Sequence, residues 1–134
     1  MLDMQGSYVL LTELGEDKLI EIGKFGNIFF KKGCYVYVGS ALNGLERRIN
    51  RHLRSNKKMH WHIDYLLKYA KVMDVFYKES RFKEECNIAN RFAKLSSIKG
   101  FGCSDCKCLS HLFYGSLNEI MVIVDGLEMS RYHV

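Results

Sequence analysis

At 134 residues, 48% of them hydrophobic and 26% charged, the chain has the length and composition of one globular unit, long enough to bury a core and too short for two ordinary cores. No apolar run approaches the roughly 20 residues of a membrane span, and the acidic, glycine-containing start lacks a signal-peptide pattern. A cytoplasmic location without membrane attachment is therefore expected. Five cysteines are an odd number, which in an intracellular chain argues for reduced thiols or a metal site over a disulfide framework. The net charge of +5 is moderate, but half of residues 47–58 are Arg or Lys and none is acidic. Positive charge so concentrated suits a polyanion; the plain alternative is a solvated basic face that binds nothing.

Residues 7–13 are apolar and β-rich, 18–22 alternate, and 27–40 are dense in Ile, Phe, Tyr and Val. Glycine turns separate these segments, which predicts three strands. From residue 43 the period changes: Leu45, Ile49 and Leu53 recur every fourth residue, predicting a helix that ends near Ser55 and Asn56. A second helix is expected over 62–70, a strand over 72–78, a third helix over 82–95, a Gly/Ser/Cys loop over 96–108, and closing strands over 112–114 and 120–124. This order predicts an α+β fold, a small mixed sheet flanked by helices, as a single domain over residues 1–134.

Two placements stand out from this frame. On the first helix Leu45, Ile49 and Leu53 form the core stripe, and at roughly 100° per residue Arg47, Arg51 and Arg54 fall on the opposite, solvent face. Arg48 and His52, one turn apart, fall on the shoulder of the buried stripe, where a snorkelling Arg beside a packed His is the bland reading. On the third helix Phe82, Ile88, Ala89, Phe92, Ala93 and Leu95 define an apolar face centred on Glu85. A buried carboxylate there needs an Arg, a Lys or a metal ion as partner, and a salt bridge to an arginine is the structural alternative to a metal.

Gly6-Ser7-Tyr8 on the first strand and Tyr37-Val38-Gly39 on the third resemble the paired motifs of the GIY-YIG nuclease superfamily. The stretch from Gly33 to Ala41, Trp61-His62-Ile63-Asp64-Tyr65-Leu66 and the 101–114 block resemble its Uri-type branch, so the likeness covers nearly the whole chain. The strand-like segment over 18–30 is longer than the family's usual connection between the two motifs. The resemblance implies that the motif strands lie side by side, that Arg48 is a catalytic Arg, that Glu85 binds the metal, and that His52 matches a His found in some members. It also implies a divalent-metal-dependent endonuclease. In-line attack of water on a phosphodiester would then use Glu85 to hold Mg²⁺ or Mn²⁺, Arg48 to clamp the phosphate, and Tyr8 or Tyr37 to orient or deprotonate the water. His52 is a second candidate for proton handling, with His62 and Tyr35 as weaker ones. Arg47, Arg51, Arg54, Lys57 and Lys58 would track a nucleic-acid backbone, DNA being favoured over RNA, with no element for reading bases. Single-stranded or branched substrates are therefore favoured over a specific duplex sequence.

Cys103, Cys106, Cys108 and His111 supply four zinc-type ligands within nine residues. Their spacing is unlike the usual two-pair arrangement, so packed reduced cysteines are favoured over structural zinc, and Cys86 is placed to approach the same loop. Two readings compete with the nuclease: a non-catalytic nucleic-acid-binding module or repair accessory protein, and a zinc-stabilised interaction domain that unfolds on chelation.

Overall fold

The computed structural model describes residues 4–103 and 108–133. The apolar run of the first segment forms β1 (Gly6–Leu14), which lies between β4 (Gly33–Ala41) and β5 (Ala70–Glu79) in a six-stranded sheet. Between β1 and β4, β2 (Lys18–Ile22) and β3 (Gly26–Phe30) pair with each other as a separate two-stranded sheet, which accounts for the extra length between the motifs. The helices are α1 (Leu45–Leu53), α2 (His62–Leu66), α3 (Glu85–Arg91) and α4 (Leu117–Gly126), and the short strands β6 (Ser96–Ser97), β7 (Leu112–Gly115) and β8 (Ser130–Arg131) complete the order β6-β7-β4-β1-β5-β8. The class is α+β as expected. Every pairing among the described strands is antiparallel, so the sheet is not mixed.

Helices cover both faces of this sheet, and strand alternation sorts the side chains between them. Tyr8, Leu10, Tyr35 and Tyr37 point into one core with Leu45, Ile49, Ile63, Leu66 and Phe101. Val9, Leu11, Val36 and Val38 point into the other with Ile88, Phe92, Phe113 and Ile120. Burial on both faces is why β1 and β4 read as nearly continuous apolar runs. Among the described residues, no helix is long and apolar enough to cross a membrane.

Several expectations are corrected. The stretch 27–40 is two strands, broken at Lys31 and Lys32 before Gly33, whose φ of 142° lies where an L side chain is strained. Residues 120–124 are helical, inside α4: Ser116 Oγ accepts the Glu119 N–H and Glu119 Oε1 accepts the Ser116 N–H, both at 3.1 Å, a capping box that starts a helix. A short apolar run does not separate strand from helix by itself. The third helix is shorter than 82–95, so Phe82 is 77% exposed and Ala93 is exposed too. Glu85 is accordingly not the centre of a buried face; it is the first residue of α3 and half-buried.

Candidate active site

Pairing of β1 with β4 sets Tyr8 opposite Gly39 and Leu10 opposite Tyr37, the adjacency the two motifs imply. Gly39 has a steric role here, because a Cβ on it would come within 2.5 Å of the Tyr8 ring. The bare backbone lets that ring lie across the neighbouring strand. Tyr8 and Tyr37 share one face of the sheet, with ring centroids 6.4 Å apart, and α1 crosses that face.

The result is an open cleft of about 490 Å³ whose lining includes Tyr8, Tyr37, Arg48, His62, Glu85 and His111. Glu85 comes from the helix packed on the opposite face of the sheet, so the cleft is built from both layers. Among the described residues the Glu85 carboxylate makes no ion pair and no hydrogen bond, so the alternative of a salt bridge to an arginine is not formed there. Arg48 Nη1 donates to the Ser40 carbonyl at 3.1 Å, and its guanidinium lies 4.3 Å from the Trp61 ring centroid. It is half-buried, held along the cleft wall by a cation–π contact and a backbone acceptor.

His52 is buried, and its Nε2 lies 2.7 Å from the Tyr8 hydroxyl. Burial pushes the Tyr8 phenol up, against the pull of the nearby Arg48 charge, with Glu85 adding a smaller upward push. Burial likewise raises Tyr37, helped by Tyr8 and Glu85. Both are therefore phenols at neutral pH. Burial has the opposite effect on His52, lowering it from 6.5 to about 3, so the imidazole is neutral and a weak base. It accepts from or donates to Tyr8 and holds that hydroxyl in place. Its Nδ1 is buried without a hydrogen-bond partner among the described residues.

A folded-state pKa depressed in this way makes the unfolded chain the better proton acceptor. The stability contribution of neutral His52 is whole above about pH 6.5 and is lost as the pH falls toward 3. Side-chain ¹⁵N NMR at about pH 5 should find His52 neutral while an ordinary histidine is mostly protonated. A His52 titration midpoint near the ordinary value would contradict the buried placement.

The remaining predicted residues divide. Tyr35 is not in the cleft; its hydroxyl donates to the Lys31 carbonyl at 2.6 Å, inside the core. His62 lines the cleft, where Nδ1 accepts the Gly102 N–H at 2.9 Å, so the proton of the neutral ring is on Nε2. Burial lowers its pKa. Arg51 is not a free solvent-facing cation: Nη1 and Nη2 donate to Asp64 at 2.9 and 3.0 Å. Lys57 caps the end of α1 by donating to the carbonyls of His52 and Arg51 at 2.7 and 3.3 Å. Arg47, Arg54 and Lys58 are exposed. Arg47 and Arg54, with Arg48, Arg51 and Trp61, line a second basin of about 520 Å³ that shares Arg48 and Trp61 with the cleft.

Trp61, Asp64 and Lys83 were not singled out by sequence reasoning. Trp61 separates the two basins, with the Arg51 guanidinium also 4.3 Å from its centroid. Asp64, with its side chain fully shielded, accepts from Arg51 and from the backbone N–H groups of His60 and Trp61 at 2.8 and 2.9 Å. Burial alone would raise this carboxyl, but those hydrogen bonds outweigh it and hold it below the ordinary range. The visible signal was Trp-x-x-Asp, a helix-capping spacing at the start of α2. Lys83 adds positive charge to the cleft lining beside Glu85.

In the cysteine block, Cys108 and His111 come together with Cys86, with one ligand atom of each within 4.8 Å of the others. Cys103 is outside this group and donates from Sγ to the Phe101 carbonyl at 3.5 Å. Cys106 lies outside the described residues. The three clustered residues could hold a metal.

Fold and site thus define a small α+β protein with a basic cleft that, among the described residues, is lined by one carboxylate and two tyrosines. The chain belongs to the family described as Domain of unknown function DUF123, whose family model matches residues 7–128. Neither a curated protein nor a solved structure matches it significantly.

Proposed function

We propose that the chain is a GIY-YIG nuclease of the Uri-type branch, a divalent-metal-dependent endonuclease that hydrolyses phosphodiester bonds in single-stranded or branched DNA in the cytoplasm. The observation that carries this reading is Glu85, a half-buried carboxylate without a cation partner among the described residues, in one cleft with Arg48, Tyr8 and Tyr37. A carboxylate so placed suits a hard cation that keeps most of its waters and needs few protein ligands. When held there, Mg²⁺ or Mn²⁺ supplies neutralising charge for the phosphate and the leaving oxygen, and cancels the Glu85 charge that helps keep both phenols protonated.

The chain's own groups supply position and charge. Arg48, at the junction of the two basins, binds a phosphate whose flanking strand continues over Arg47 and Arg54. Tyr8, steadied by His52, and Tyr37 orient the attacking water in line with the scissile P–O bond. Attack forms the new P–O bond as the old one breaks; the two protonated phenols orient the water, its proton passes to bulk solvent, and the leaving oxygen takes a proton from solvent.

The test is cleavage of labelled single-stranded, duplex and branched DNA, and of matching RNA, with Mg²⁺, Mn²⁺ or EDTA. Cutting should require the metal, favour the single-stranded or branched DNA, and fall about 100-fold or more in Arg48→Ala, the size of effect expected for removing one preorganised charge donor. Salt-dependent binding with no cutting of any substrate would replace the nuclease by a nucleic-acid-binding module.

A further inference from the structure

We propose that Cys86, Cys108 and His111 form a zinc site, distinct from the hard-cation site at Glu85, that ties the start of α3 to the segment leading into β7. Cys86 Sγ and His111 Nε2 are 3.9 Å apart, and Cys108 Sγ lies within 4.8 Å of both. With Zn–S near 2.3 Å and Zn–N near 2.0 Å, the edges of a tetrahedral site are roughly 3.5 to 3.8 Å. The Cys86–His111 edge is already close to that length, and the Cys108 edges, within 4.8 Å, would close by up to about 1 Å to meet that shape. Two sulfurs and an imidazole select a borderline-soft ion such as zinc over Mg²⁺ or Mn²⁺, so the two metals would not compete for one place.

The ligands come from two elements far apart in sequence, and each sits next to something the cleft uses. Cys86 follows Glu85 on the first turn of α3. His111 itself lines the cleft, and its carbonyl accepts the Val38 N–H at 2.9 Å, fastening it to β4 beside Tyr37. Zinc bound here would fix the distance between the helix that carries Glu85 and the strand that carries Tyr37. These three, found among the described residues, fill three of the four positions of a tetrahedral site. The Glu85 carboxylate is not one of the three, so zinc is a positioning element and the inference stands whether or not the chain cuts DNA.

Zinc content, measured on full-length protein purified under reducing conditions and again after chelation and addition of zinc alone, tests this directly. One zinc per chain should survive gel filtration, while Cys86→Ser and Cys108→Ser, with folding checked by circular dichroism, each lose it. Cys34→Ser, outside the cluster, and Glu85→Gln should keep it. In the wild type, Co²⁺ should give the intense visible bands of a tetrahedral site and thiolate charge-transfer bands, a readout that does not depend on any variant folding. Zinc that washes out of the wild type, an octahedral Co²⁺ spectrum, or a Cys86–Cys108 disulfide under reducing conditions would overturn the proposal.

Discussion

Replacing Glu85 by Gln should lower metal-dependent cleavage by about 1000-fold or more, as expected when a metal-ion site is removed from phosphoryl chemistry, while DNA affinity stays within a few-fold of the wild type. Glutamine preserves the shape and removes the charge. The carboxylate has no ion-pair partner to lose among the described residues, so the melting temperature should hold or rise slightly as an uncompensated, half-buried charge disappears. Single-turnover cleavage across a Mg²⁺ and Mn²⁺ titration, beside a melt of the same sample, separates this from a structural role. A large fall in melting temperature with a matching loss of cleavage would mean that Glu85 supports the fold and holds no metal.

Asp64→Ala should be strongly destabilising, by about 3 kcal/mol, because it removes the shared acceptor of a part-buried ion pair and of two backbone N–H groups. Arg51, His60 N–H and Trp61 N–H would all lose their acceptor together. The melting temperature should drop by roughly 10 °C or more, and Trp61, released from its backbone anchor, should show altered fluorescence before global unfolding. The sign of the pH dependence follows from a folded-state carboxyl held below its ordinary value of 3.8. The stabilisation is present above that value and is lost as pH falls through the lower folded-state pKa. In the wild type this loss follows the one due to His52, which begins at higher pH. An acid melt of Asp64→Ala that matches the wild type in position and midpoint would rule out the anchoring role.

Much of the architecture was written in periodicity. Leu45, Ile49 and Leu53 marked α1, and the shoulder position of Arg48 and His52 on that helix is what aims both at Tyr8. The pairing of β1 with β4, which sets the two tyrosines on a common face, is legible only through the motif resemblance, because both strands read as nearly continuous apolar runs. Glu85 was found for a partly mistaken reason, since the apolar face that drew attention to it is shorter than the pattern suggested and Glu85 begins the helix. The α4 helix was missed because Ile120 to Val124 has the β-branched composition of a strand, although Ser116 and Glu119 had announced a helix start. Arg51 and Lys57 were counted as free charge because sequence spacing does not show which cations are already engaged. Asp64 and a helix end claim these two. The approach of Cys86 to the cysteine loop is legible in the sequence, but which ligands of that loop it meets, Cys108 and His111, is visible only in the fold.

Because Glu85 is carried by the helix packed on one face of the sheet, while Tyr8 and Tyr37 lie on the other, neither layer alone holds the whole cleft. A partly folded chain that keeps α1 on the sheet but releases α3 would still present basic residues to a polyanion, yet have nothing to hold a hard cation. On the proposed function, binding and turnover would then have different folding requirements: the first would need one layer, and the second both. If the proposed function holds, mild denaturant should extinguish cutting before binding, which would make hydrolysis contingent on complete assembly of the fold.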